Sequence, residues 1–169
     1  GRISELLERL SYVGFALPGM VVALALVFFG VRYATPLYQT LGLLVFACVV
    51  LFLPTAVGAA RTSLLQVNPK LEEAARSLGR TPLQVLASIT FPLVRPGILA
   101  GAALVFLLTM KELPATLILS PIGFTTLATS IWAATEDGFF AQAAAPALLL
   151  ILASSVPMTF LVQRGRREA

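Results

Sequence analysis

The sequence predicts an all-α protein, a polytopic transmembrane helical bundle with about four spans. Hydrophobic residues make up 58% of the 169 residues and charged residues 12%, about half the charged share of a soluble domain. The mean hydropathy of +0.92 agrees with this composition. Several apolar runs of about 20 residues match the thickness of the hydrocarbon core of a bilayer. These observations indicate an integral membrane protein.

Four apolar runs are interpreted as spans, and they lie at residues 12–30, 37–60, 97–119 and 143–162. Proline within a span frees a backbone carbonyl and bends the helix, so kinks are expected at Pro18, Pro54 and Pro157. The third span opens with Gly97 and Gly101, whose spacing lets two helices approach closely in lipid. A connector over residues 120–142 follows, in which residues 125–134 are predicted to form a short helix.

The polar stretch between the second and third spans, residues 68–97, begins with signals for a short helix. Asn68 is a favourable N-cap, and Pro69 suits the first helical position. Gly79 is placed where a left-handed residue commonly ends a helix. Apolar residues are expected on one side of this helix and charged residues on the other. The first half of the stretch is therefore predicted to be an amphipathic helix that ends in a sharp turn.

A second short helix is predicted directly after that turn. Thr81 and Gln84, three residues apart, form a capping box at its start. Its end is expected near Phe91, because Pro92 disfavours helical backbone in the residue before it. The whole stretch is thus interpreted as a helix-turn-helix between two membrane spans.

The distribution of basic residues predicts the orientation in the membrane. With four spans, ten of the twelve Lys and Arg residues fall on one side: Arg2, Arg9, Arg61, Lys70, Arg76, Arg80, Arg95, Arg164, Arg166 and Arg167. The other side has only Arg32, together with Glu136 and Asp137. By the positive-inside rule, both termini of this chain and residues 68–97 are cytoplasmic, and the connector faces the exterior. The tail arginines are expected to anchor the last span at the anionic inner leaflet of the lipid.

Several classes of function are disfavoured by composition. The chain has no histidine and one cysteine, Cys48, and it shows no metal-ligand cluster, so neither a metal nor a cofactor is expected. No phosphate-binding Gly-x4-Gly-Lys-Ser/Thr loop is present. ATP hydrolysis would therefore come from a partner, and the chain is not expected to be an enzyme. The net charge of +4 reflects membrane orientation rather than nucleic-acid binding.

The predicted helix-turn-helix contains a spaced set of residues: Glu73-Ala74-Ala75, then Gly79 after three residues, Ile89 after nine more, and Phe91-Pro92 after one more. This pattern resembles the EAA loop of inner-membrane permeases from binding-protein-dependent ABC importers, in which Leu-Pro is usual at the end. The resemblance implies a type I importer-like core. It also implies that Glu73, Ala74, Ala75, Gly79, Ile89 and Pro92 couple the permease to a cytoplasmic ATP-binding cassette subunit. The alternative is an amphipathic helix that lies passively on the membrane surface.

Two further stretches look like the subgroup that imports ferric iron. They are Lys111-Glu112-Leu113-Pro114-Ala115-Thr116-Leu117 and Thr126-Leu127-Ala128. Thiamine and polyamine permeases resemble the same subgroup, so these solutes remain alternatives. The resemblance implies a bacterial inner-membrane location, a periplasmic or extracellular solute-binding protein and a second transmembrane half or subunit. Residues 1–169 are expected to form one permease domain, the C-terminal part of a longer chain.

Lys111, Glu112 and Pro114 are the candidate residues for a translocation path or gate. Charges inside a span are costly and usually face a bundle interior or a water-filled cavity. The alternative is a structural ion pair, or snorkelling to the interface. The same charges leave open an ion-coupled secondary transporter or channel. A membrane-anchored interaction protein or an intramembrane enzyme is less consistent with these features.

Overall fold

The computed structural model describes residues 17–168, with side chains described through residue 159 and at residue 161. All regular secondary structure in this part of the chain is helical, which confirms the predicted class. In chain order, the helices are α1 (Gly19–Tyr33), α2 (Leu41–Leu65), α3 (Pro69–Ser77), α4 (Pro82–Met110), α5 (Pro114–Leu119), α6 (Leu127–Glu136) and α7 (Phe140–Glu168).

Three of the described helices are long and apolar enough to cross a membrane. They are α2, α4 and the part of α7 from Phe140 to Thr159. The predicted first span corresponds to α1, an apolar helix of 15 described residues. Residues 1–16, which include Arg2, Arg9 and the beginning of that predicted span, lie outside the described residues, as do the side chains of the tail arginines.

Helix α2 begins and ends later than the predicted second span. A short 3₁₀ turn occupies Thr35–Leu37. The Thr40 side chain then accepts a hydrogen bond from the Leu43 N–H at 3.3 Å and caps α2. Hydropathy placed the start of the span within the 3₁₀ turn because it does not detect a cap. At the other end, the helix continues to Leu65 because its polar residues Thr62 and Ser63 bond to carbonyls one turn earlier.

The predicted end of the second loop helix near Phe91 is wrong, because α4 runs without interruption from Pro82 to Met110. A wider π-helical turn, Leu86–Thr90, precedes Pro92, and the N–H of the next residue, Phe91, bonds to the Leu86 carbonyl. Phe91 has helical dihedrals, φ −61° and ψ −46°. The π turn changes the hydrogen-bond register just before the residue that lacks an N–H, so the helix passes the proline. The second loop helix and the third span are therefore one element.

The predicted third span is also wrong at its far end. Helix α4 stops at Met110, and a non-helical break of three residues separates it from α5. Lys111 and Glu112 therefore lie at a helix break and not inside a continuous span. Pro114 occupies the first turn of α5, a position where its missing N–H has no helical partner to lose.

Close packing of α2 against α4 confirms the small-residue contact predicted at Gly97 and Gly101. A Cβ at Gly97 would overlap the Ser63 hydroxyl and lie 2.7 Å from the Ser63 Cβ. A Cβ at Gly101 would lie 2.5 Å from the Ala59 Cβ. Both separations are shorter than real Cβ contacts, so the two backbones meet at a distance that only glycine allows here.

The core of the described residues lies where α1, α2 and α5 meet. Its buried members are Val22 and Ala23 from α1, Leu43, Leu44, Ala47 and Leu51 from α2, and Ala115 and Leu119 from α5. Helix α6 packs on α7 instead. Thr126 caps α6 through a reciprocal capping box with Thr129. The predicted connector helix therefore exists, with Thr126 as its N-cap.

Candidate functional site

Helix α3 begins with a side-chain cap and ends in a turn that backbone hydrogen bonds stabilise. The Asn68 side chain accepts a hydrogen bond from the Lys70 N–H at 3.0 Å and begins the helix. At the other end, Gly79 has φ +81°. The Arg80 N–H donates to the Ala75 carbonyl at 3.2 Å, and the Gly79 N–H donates to the Arg76 carbonyl at 2.9 Å. These two bonds form a Schellman motif, so the predicted glycine turn is confirmed.

The start of α4 is fixed by side chains that directly follow the Gly79 turn. Thr81 and Gln84 form the predicted capping box, with the Thr81 N–H bonded to Gln84 Oε1 at 3.0 Å. The Arg80 guanidinium donates to the Ser88 hydroxyl at 2.7 Å. These contacts set the direction in which α4 leaves the turn.

Helix α3 folds back against the first part of α4. Ala75 on α3 and Val85 on α4 are buried, at 5% and 2% exposure. At the other end of α3, the Thr90 hydroxyl donates to Glu72 Oε1 at 2.6 Å. This distance is typical of a hydroxyl bonded to a carboxylate. The two helices of this helix-turn-helix are therefore in contact along the length of α3.

An exposed apolar stripe lies beside the contact between α3 and α4. The exposed leucines of the loop are Leu71 (48%), Leu78 (84%), Leu83 (74%) and Leu86 (53%). Ala74 is also exposed, on the same side of α3 as Leu71 and Leu78. The amphipathic prediction therefore holds for the spacing of α3, but its apolar side is mostly uncovered, and half-buried Glu72 lies on the covered side.

The predicted coupling residues occupy different environments in this loop. Glu73 and Ala74 are exposed, whereas Ala75 is buried within the chain. Ile89 is half-buried in the π turn, and Pro92 is exposed on α4. The structure thus brings these residues onto one compact unit, while only some of them are accessible from outside.

The break between α4 and α5 holds the other predicted site. Lys111 is exposed and follows the last residue of α4. Glu112 is half-buried, and its Oε1 accepts a hydrogen bond from the Ala115 N–H at 3.0 Å. Pro114 is exposed. No ion pair involving Lys111 or Glu112 is found within the described residues.

Glu112 also touches the first residue of α1. A Cβ at Gly19 would lie 2.8 Å from Glu112 Oε1. The carboxylate therefore lies near the N-terminal ends of both α1 and α5, where a helix favours negative charge. This contact follows from the packing of α1 on α5, and nothing near Glu112 in the sequence signals it.

At least three cavities among the described residues border the α2–α4 pair, and two of them also reach other parts of the fold. One, of about 440 Å³, lies between α2, α4 and α7 and has Thr62, Ser63 and Gln66 among its lining residues. The other, of about 460 Å³, is lined almost wholly by apolar side chains such as Val45, Phe52 and Val105. Neither cavity is lined by the three residues of the predicted path.

Comparison with known proteins identifies the family. The family model for inner-membrane components of binding-protein-dependent transport systems matches residues 1–167. This chain belongs to that family. The resemblance inferred from the spaced Glu73–Pro92 pattern is therefore confirmed across nearly the whole chain.

Several relatives within this family are permeases with different named solutes. The chain is 42% identical over 155 residues to the Fe(3+)-transport system permease protein FbpB 2 of Haemophilus influenzae, covering 92% of this chain and 31% of that protein. It is 29% identical over 161 residues to the candidate 2-aminoethylphosphonate permease PhnV of Salmonella typhimurium, covering 95% of this chain and 61% of that protein. It is 37% identical over 123 residues to the molybdenum permease ModB of Escherichia coli, covering 66% and 54%. The chain thus spans between about a third and three fifths of the length of these curated relatives.

Two features of the site were not predicted from the sequence. The Glu72–Thr90 hydrogen bond joins residues that are 18 positions apart, and the Gly19–Glu112 contact joins residues that are 93 positions apart. In the sequence, the only local hints of these contacts were that Glu72 precedes Glu73 of the spaced pattern and that Gly19 follows Pro18.

Proposed function

We propose that this chain is the membrane-spanning permease domain of an ATP-driven importer and that the loop from α3 to the start of α4 binds a separate ATP-binding cassette subunit. A short helix that projects from a membrane domain and bears an apolar stripe fits a groove on a soluble partner. Movement of that partner would then move α4, which continues from the loop into a membrane-length helix, as a rigid body.

One observation carries this proposal. The loop is held in a fixed conformation by its own hydrogen bonds, yet it leaves an apolar stripe exposed. Leu78 and Leu83 flank the Gly79 turn at 84% and 74% exposure. Large apolar side chains exposed together on a fixed surface are typical of a protein–protein contact. Exposed Glu73, on another side of α3, supplies a charge that would orient the contact.

Co-purification of the full-length importer with its ATPase tests this proposal. Glu73→Arg and Gly79→Ala are expected to lose the ATPase while the permease still reaches the membrane. Alanine at Gly79 strains a left-handed residue by roughly 1–2 kcal/mol, without any steric clash, because no atom lies within 4 Å of its Cβ position.

Two matched variants control this experiment. Gly123 has φ +83° and equally open surroundings, and Glu136 is an exposed acid. Both lie in the connector on the opposite side of the predicted topology. Gly123→Ala and Glu136→Arg should therefore retain the ATPase. Equal retention by all four variants would contradict the assignment of the loop.

For the substrate, we propose ferric iron. The support is the 42% identity to the Fe(3+)-transport permease, against 29% and 37% for the 2-aminoethylphosphonate and molybdenum permeases. In proteoliposomes containing the complete importer, we expect ATP-dependent uptake of radioactive ferric iron that excess unlabelled molybdate or 2-aminoethylphosphonate does not reduce. Uptake of molybdate without uptake of iron would refute this choice.

We also propose that the break between α4 and α5 borders the translocation path. Lys111 would be exposed to the path, with Glu112 and Pro114 maintaining the break that presents it. A second transmembrane half would complete the path, and a solute-binding protein would deliver the substrate from the exterior. In support, helical breaks at membrane depth are tolerated where the backbone lines a cavity or is covered by protein.

A further inference from the structure

Helix α3 is attached to α4 at both of its ends. At its C-terminal end, the chain continues through the Gly79 turn, which has no neighbouring atoms within 4 Å of the glycine Cβ position. At its N-terminal end, Glu72 lies in the first turn of α3 and accepts the hydrogen bond from Thr90. The Arg80–Ser88 bond begins beyond α3, so it does not attach this helix.

The Glu72–Thr90 bond reaches α4 at the end of its π-helical turn. Thr90 is the last residue of the π-helical turn, and the regular helix that continues to Met110 begins at the next residue. Single π-helical turns are less regular than α-helix and occur often at functional sites. Thr90 is only 5% exposed, so water competes weakly for its hydroxyl, and a hydrogen bond to a carboxylate is stronger in such a site.

We propose that the Glu72–Thr90 hydrogen bond is the link that passes movement of α3 into the membrane-length part of α4. This inference rests on the proposed function, in which the ATPase binds α3. With the bond intact, α3 is held at both ends and its displacement reaches α4 at the π turn. Without the bond, α3 is held to α4 only by the Gly79 turn and by the packing around buried Ala75 and Val85, so α3 pivots more easily and part of its displacement is lost. Glu72 and Thr90 are positioning residues and do not themselves contact the ATPase.

The test is a measurement of substrate transported per ATP hydrolysed, made with the complete importer in proteoliposomes. Thr90→Val keeps the shape of the side chain and removes the hydroxyl. A charge-assisted hydrogen bond changes the balance between attached and detached α3 by roughly ten-fold or more. We therefore expect transport per ATP to fall by roughly ten-fold, with the ATPase still bound. Thr90→Ser retains the hydroxyl and should behave as the wild type.

Glu72 provides a second set of variants if Thr90→Val does not accumulate. Glu72→Leu removes the acceptor and should lower transport per ATP as Thr90→Val does, whereas Glu72→Gln keeps an acceptor oxygen and should retain more of it. The double variant Glu72→Leu/Thr90→Val should be no worse than either single variant, since both remove the same bond. Hydrogen exchange of residues 69–78, measured without the ATPase, should be faster in Thr90→Val than in Thr90→Ser.

The outcomes separate this link from the proposed function. Normal transport per ATP in Thr90→Val would overturn the link while leaving the importer assignment intact. Loss of the ATPase in Thr90→Val would also overturn it, because the bond would then only shape the binding surface. Failure of the wild type to bind an ATPase would refute the proposed function itself.

Discussion

Glu112 shows how a single side chain can be a predicted path residue and a structural one at once. Its carboxylate oxygen accepts the Ala115 N–H at 3.0 Å and lies against Gly19. The Thr116 hydroxyl also donates to the Glu112 carbonyl at 2.7 Å. The bond from Ala115 makes the Glu112 side chain a cap for the start of α5, since the first amides of a helix have no partner within the helix.

Substitutions at this break separate the cap from the charge. Glu112→Gln keeps an acceptor oxygen, so substrate uptake should stay near the wild-type level. Glu112→Ala removes the cap, at a cost of about 1 kcal/mol, and should lower both the melting temperature and uptake. Lys111→Gln should lower uptake several-fold without changing the melting temperature, because the Lys111 side chain is exposed. The measurements are uptake in proteoliposomes and thermal unfolding in detergent.

A different pattern would favour a gate that depends on the Glu112 charge. In that case Glu112→Gln and Glu112→Ala would lose uptake equally, although only Glu112→Ala would be less stable. A charge reversal at Glu112 that leaves transport intact would remove Glu112 from the path altogether.

At the scale of elements, the α2–α4 contact depends on two glycines and a serine. The absence of a side chain at Gly97 lets Ser63 lie directly against the α4 backbone. The Ser63 hydroxyl is bonded to the Ala59 carbonyl at 2.9 Å, so this polar group is satisfied within α2. Small residues and locally satisfied hydroxyls are a common way to bring transmembrane helices together.

Gly97→Ala is expected to destabilise this pair. The added methyl group would overlap Ser63, and overpacking of this kind costs roughly 1–3 kcal/mol. The melting temperature in detergent should therefore fall by several degrees. Ser63→Gly in the same chain should restore part of the loss, because it removes the side chain that the methyl group meets.

Gly42→Ala is the matched control, since its Cβ would meet only the Thr40 hydroxyl at an ordinary 3.6 Å. It should leave the melting temperature almost unchanged. If Gly97→Ala were as stable as Gly42→Ala, α2 and α4 would not be in the close contact described above.

At the scale of the whole molecule, the long helices are mostly uncovered. In the most apolar 18-residue windows of α2, α4 and α7, the buried share is 28%, 17% and 6%. Helix α7 therefore lies at the edge of the described bundle, in contact with α4 and α6. Apolar surface of this extent must be covered by lipid or by further protein.

Cysteine labelling tests the predicted orientation of the whole chain. Leu78 and Ile122 are a matched pair of exposed side chains, at 84% and 87%, in the loop and in the connector. In a Cys48→Ala background without the ATPase, a membrane-impermeant maleimide should label Ile122→Cys in intact cells. Leu78→Cys should be labelled only after the membrane is opened.

Labelling of both cysteines from outside would contradict the four-span topology and the cytoplasmic assignment of the loop. Labelling of Leu78→Cys alone would reverse the orientation that the basic residues predict.

The sequence by itself determined what depends on composition and on neighbours along the chain. Hydropathy predicted a helical membrane protein, because the spans must bury about 20 residues in hydrocarbon. Asn68, Gly79 and the Thr81–Gln84 pair predicted the ends of the loop helices, since these hydrogen bonds join residues within a few positions of each other. The spaced pattern from Glu73 to Pro92 placed the chain in its family.

Only the tertiary structure decided how these local elements are joined. The local preference of Pro92 predicted a helix end, but the π turn carries α4 past the proline and joins the loop to a membrane helix. The contacts of Glu72 with Thr90 and of Glu112 with Gly19 form between helices. Residues distant in the chain come together only when the helices pack, and a pattern read along one sequence contains no direct signal for that packing.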